Sequence, residues 1–68
     1  MRLTIEIEQE TDGRWIAEVP AIPGVLVYGA TRDEAILKVK SLALRVLAER
    51  LESGESIPAE KELFSVSA

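Results

Sequence analysis

The sequence predicts a two-layer α+β domain in the order β-β-β-α-β, with one long helix packed on a small, mainly antiparallel sheet. Three observations predict it. Residues 2–8 alternate polar and apolar, the period of a half-buried strand. The stretch Pro20-Ala21-Ile22-Pro23-Gly24 interrupts the extended region with two residues that cannot donate to a ladder. Residues 32–52 contain neither Pro nor Gly and are dense in Ala, Leu, Lys, Arg and Glu, all strong helix formers.

In the first strand Leu3, Ile5 and Ile7 share one side, and Arg2, Thr4, Glu6 and Glu8 the other. Thr11-Asp12-Gly13 reads as a hairpin turn, because Asp-Gly supplies the positive φ of a tight reversal. Arg14 to Val19 returns as a second strand whose Trp15, Ala17 and Val19 join the apolar side, while Ile16 falls with Arg14 and Glu18. Val25 to Tyr28 forms a short third strand, apolar on both faces, a pattern that points to a central, doubly covered position. Either Val25 and Val27 face inward and Leu26 and Tyr28 outward, or the reverse. Thr31 and Glu34 form a capping box at the helix start, and Ser53-Gly54 closes a rod of roughly 30 Å. Lys61 to Ser67, with Leu63, Phe64 and Val66, alternates enough for a fourth strand.

Wound at about 100° per residue, the helix places Ala35, Ile36, Val39, Leu42, Ala43 and Val46 on one arc, its sheet-facing side. Leu37, Leu44, Ala48 and Leu51 form a second apolar group beyond Lys40, bridged to the first by Leu47. Leu37, Leu44 and Leu51 recur every seven residues, the spacing of a seam against another helix. Two readings stay open: a wide core stripe with a snorkelling Lys40, or a subunit interface of Leu37, Leu44, Leu47 and Leu51.

The 68 residues, 1–68, make one domain, close to the lower limit for independent folding. Cys and His are both absent, which removes disulfides, thiolate metal sites and imidazole bases. Self-association is the remaining stabiliser, and a homo-oligomer is expected. Eight basic and twelve acidic residues leave a net charge of −4, which repels phosphate backbones. No direct nucleic-acid ligand is expected; a basic protein suits the field better. Neither a signal peptide nor a membrane span is visible, and the cytoplasm is the expected location.

No constellation of catalytic, cofactor-binding or metal-ligating residues emerges, and no small-molecule substrate is implied. The aspartates, Asp12 in a turn and Asp33 beside a helix cap, have structural explanations. Glu6, Glu8 and Glu18 on the outer sheet side read as a solvated face that deters edge aggregation.

The order Trp15-Ile16-Ala17-Glu18-Val19-Pro20, Ile22-Pro23-Gly24, then Gly29-Ala30-Thr31-Arg32-Asp33-Glu34-Ala35 resembles the HicB-like family of small antitoxins. The likeness runs through essentially the whole chain, and its motif residues are scaffold. It implies a partial ribonuclease H-like domain without that enzyme's catalytic carboxylates. It also implies binding to a small basic HicA-like toxin that cleaves messenger RNA with a histidine, the antitoxin covering that site. Family members usually add a C-terminal DNA-binding segment, which these 68 residues do not show after the fourth strand. Leu37 and Leu44 are apolar where family members are expected to be polar. The alternative is a free-standing HicB-like regulatory or assembly protein acting as a homo-oligomer.

Trp15, Ile16, Ile22 and Tyr28 are the candidate partner contacts, since rigid aromatics and proline-flanked apolar residues make good anchors. Trp15, the sole Trp on an apolar strand face, reads more readily as core than as a contact. Ile22, between Ala21 and Pro23, is expected to point outward.

Overall fold

The structure, a computed structural model, describes residues 3–54 and 64–67. Strand β1 (Leu3–Gln9), β2 (Trp15–Glu18) and β3 (Leu26–Gly29) precede the helix α1 (Arg32–Glu52), and β4 (Phe64–Ser67) follows it. The sheet order is β3-β2-β1-β4. Neighbours β1–β2 and β2–β3 run antiparallel, and β4 lies parallel to β1, with Leu3 opposite Phe64 and Ile5 opposite Val66. The β-β-β-α-β order and the single long helix agree with the sequence. Arg2, and the part of the expected fourth strand at 61–63 that includes Leu63, lie outside the described residues.

At the β1–β2 turn, Gly13 adopts φ +92°, the left-handed region that its missing Cβ makes accessible. Asp12 Oδ1 accepts from the Arg14 N–H at 3.0 Å, and Gly13 N–H donates to the Glu10 carbonyl at 3.0 Å. Between β2 and β3 the chain doubles back twice. Ile22 N–H donates to the Val19 carbonyl, Val25 N–H to the Ile22 carbonyl and Val19 N–H to the Val25 carbonyl, all at 3.0–3.1 Å. These turns leave Pro20, Ala21, Pro23 and Gly24 exposed and roll Ile22 under the sheet. Ile22 is only 2% exposed, so its expected outward position is corrected: it plugs the core between Val19 and Val25.

The core is Leu3, Ile5 and Ile7 from β1, Ala17 and Val19, Ile22 and Val25, and Ala35, Val39, Ala43 and Leu47 from α1. Trp15, Val27, Ile36, Leu42 and Val46 pack against its margin. Val25 and Val27 face the helix while Leu26 and Tyr28 face away, which resolves the alternative left open by the sequence. The third strand is an edge strand, contrary to the central position its apolarity suggested. The helix covers its inner face, and its outer face carries Leu26 and Tyr28 into solvent, each 41% exposed.

The helix is capped as its sequence announces. Thr31 (φ −127°, ψ 163°) accepts the Glu34 N–H on its hydroxyl at 3.1 Å, and Glu34 reaches back to the Ala30 N–H at 3.0 Å. Lys38 Nζ, one turn on, sits 2.9 Å from Glu34 Oε1. Glu34 is consequently held below the ordinary glutamate range, chiefly by the Lys38 hydrogen bond and then by the Ala30 N–H. At the other end, Ser53 N–H is shared by the Glu49 and Arg50 carbonyls, and Gly54 N–H bonds Leu51.

Gly29 ends β3 directly beneath the first turn. A Cβ placed there would lie 2.5 Å from Ala35 N and 2.9 Å from its Cα, both backbone-fixed atoms. Substituting G29A should cost about 1–3 kcal/mol, the range for overpacking, and lower Tm by several degrees in thermal unfolding followed by circular dichroism. Glu34 should give the helix a pH signature. A depressed folded-state pKa contributes stability above the ordinary value of 4.5 and loses it as pH falls through the folded value. The Tm difference between wild type and E34Q should be constant above about pH 5.5 and shrink steadily below pH 4.5, checked by melts across that range.

Candidate functional site

The helix covers one face of the sheet and leaves the other open. The pleat assigns alternate residues to that open face: Thr4, Glu6 and Glu8 of β1, Ile16 and Glu18 of β2, and Leu26 and Tyr28 of β3. Strand register aligns them in two rows. One runs Glu8–Ile16–Tyr28, the other Glu6–Glu18–Leu26. The surface is therefore graded, acidic over β1 and apolar at the β3 edge.

Arg14 closes the apolar end. Its guanidinium lies 4.5 Å from the Tyr28 ring centroid, while Nε contacts Asp12 Oδ2 at 2.7 Å. The ring face is attractive to a cation, and the carboxylate fixes the guanidinium's position. Asp12 is held below the ordinary aspartate range, first by the Arg14 backbone N–H and then by its guanidinium. The Asp-Gly turn that joins the strands thus also braces an aromatic side chain on the open face.

Glu6 and Glu18 stand directly opposite one another across β1 and β2. Like charges in that position are destabilising, typically by a few tenths of a kcal/mol. No ion pair among the described residues neutralises either carboxylate. A solvated face that deters edge aggregation does not itself require this register of like charges.

Of the four sequence-derived partner residues, Ile16 and Tyr28 meet on this face as cross-strand neighbours. Trp15 lies half-buried on the opposite, helix-covered face against the core. Ile22 is buried, as described above. Leu26 and Arg14 belong to the surface and were missed. Their signal was available, because each is two residues from a chosen one, Tyr28 and Ile16, and period-two spacing puts them on the same side. On the helix, Leu37, Leu44 and Leu51 are exposed at 71%, 51% and 54%. Leu47, grouped with them by the sequence, is 5% exposed and belongs to the core: it lies one helical step closer to the sheet.

Among the described residues no group of three or more carboxylates is placed to hold a metal ion, and no helix is long and apolar enough to cross a membrane. Fold and surface define a small α+β domain with one helix-covered and one open sheet face. The chain is 36% identical over 61 residues to the UPF0150 protein Ta0767 of Thermoplasma acidophilum, spanning 88% of this chain and 87% of that relative. It belongs to the UPF0150 protein family. No family model and no solved structure matches the chain.

Replacing Glu18 by Gln should relieve the carboxylate pair. A Tm rise of about 1–5 °C is expected from a gain of a few tenths of a kcal/mol, and a fall would show that the two carboxylates do not repel.

Proposed function

We propose that this chain is a non-catalytic, antitoxin-like binding module that neutralises a small, basic, mRNA-cleaving toxin by covering its active surface. The single observation that carries the reading is the open sheet face, where Glu6 and Glu18, opposed in register, adjoin Glu8 and an apolar edge of Ile16, Leu26 and Tyr28. A cationic partner would remove the carboxylate repulsion on binding, so attraction to it exceeds what two isolated charges would supply. The net charge of −4 would speed encounter with a basic protein. Tyr28, braced by Arg14, offers a rigid anchor of the kind that dominates interfaces. The HicB-like resemblance supplies the toxin's class and the partial ribonuclease H-like character of the scaffold, and the cytoplasm is where messenger RNA would need such protection in a prokaryotic cell.

A second reading is a free-standing regulatory or assembly protein acting as a homo-oligomer. The exposed Leu37, Leu44 and Leu51 favour it. Both readings can be tested with the product of a short basic, His-containing reading frame beside the gene. In an RNA-cleavage assay this chain should abolish that protein's activity near equimolar ratio. Tyr28→Ala should weaken inhibition by about 30-fold or more, as for an interface anchor, and the double variant E6K/E18K should do so with a reduced salt dependence. Absence of such a reading frame, or failure of this chain to inhibit its product, would transfer the assignment to the free-standing protein; inhibition untouched by these variants would move the contact off the open sheet face.

A further inference from the structure

The face of α1 turned away from the sheet carries Leu37, Ser41, Leu44, Ala48 and Leu51, all exposed. Their spacing of four, three, four and three residues is that of the two apolar positions of a heptad, here occupied alternately by Leu and a small residue. Over the roughly 21 Å from Leu37 to Leu51, large and small side chains therefore alternate along one seam. Such a seam is complementary to itself when reversed: Leu44 of one copy meets Ala48 of a second, and Leu51 meets Ser41. Run parallel and in register, leucine would meet leucine and small residue would meet small residue.

Charge selects the same direction. The polar strip beside the seam reads Glu34, Lys38, Arg45, Glu49, Glu52, with Lys38 already 2.9 Å from Glu34. Antiparallel pairing with Leu44 against Ala48 centres the two-fold axis at position 46, which brings Lys38 near Glu52 of the second copy and sets Arg45 equally near Glu49 and Arg45 of that copy. Parallel pairing would set like charges side by side, which is unfavourable. Steric and electrostatic complementarity thus name one occupant. We infer that the exposed helix face is a homodimer interface in which α1 packs antiparallel against α1 of a second copy, in the register Leu44–Ala48 and Ser41–Leu51.

The open sheet face lies in the other layer and stays free in this dimer, which would present two partner surfaces. The inference does not rest on the toxin reading. Light scattering on the purified chain should give twice the 7.5 kDa chain mass, falling toward the monomer on dilution. Leu44→Glu, an exposed position, should raise the dissociation constant by about 30-fold or more with an unchanged helical circular dichroism spectrum. Ser41→Glu is the second variant on the same seam should L44E disturb folding.

The absence of native cysteine makes the register directly readable. Ser41→Cys and Leu51→Cys, mixed and oxidised, should yield a mixed disulfide dimer, with little cross-linking of either variant alone. A monomer at every concentration would overturn the inference, as would homodisulfides of L51C alone or a dimer indifferent to both glutamate substitutions. A monomer whose toxin inhibition is lost in L44E would assign the seam to the toxin instead. Failure of the toxin reading is separable, because E6K/E18K alters inhibition and leaves mass unchanged.

Discussion

The close seating of α1 on the sheet is the constraint on which the rest of the domain depends. Gly29 leaves room for the backbone of the first helical turn, and Ala35 and Ala43 on the helix meet a sheet that contributes Ala17 at its centre. Small residues at the contact let the layers approach, and Val39 and Leu47 join Ile5, Val19 and Val25 in one buried cluster. A domain of 68 residues has little apolar surface to spare, and its stability is correspondingly sensitive to that approach distance.

Seating the helix on one face defines two others. The sheet's far face becomes an open platform, where the register of three antiparallel strands sorts carboxylates toward β1 and apolar side chains toward β3. The helix, wider in its apolar arc than three strands can cover, leaves a leucine seam in solvent. Both surfaces have features that local folding does not require: like charges placed opposite each other in one, large apolar side chains held in water in the other. The two surfaces lie in different layers, so the two proposed partners would not compete for one face.

Much of the architecture was legible because it rests on local chemistry. Alternation announced β1 and β2, Asp12-Gly13 announced the turn, and Thr31 with Glu34 announced the helix start, each through contacts within four residues. The candidate surface was half legible. Ile16 and Tyr28 were found by residue type, whereas Leu26 and Arg14 needed strand register and the Arg14–Tyr28 contact. The errors were of one kind. Ile22 looked outward because prolines usually mark exposed turns, but consecutive reversals rotated it into the core. Leu47 looked like part of the seam because helical periodicity does not say where a sheet ends.

The sequence by itself determined the order of elements, their caps and turns, the acidic balance and the seven-residue leucine spacing, since each is written in neighbours along the chain. Tertiary structure decided the rest: that β3 is an edge strand, that Glu6 stands against Glu18, and that Leu37, Leu44 and Leu51 stay in water while Leu47 does not. Those outcomes depend on which strands pair and how wide a sheet the helix finds beneath it. Both are settled by contacts between residues far apart in the chain, and a local pattern carries no record of them.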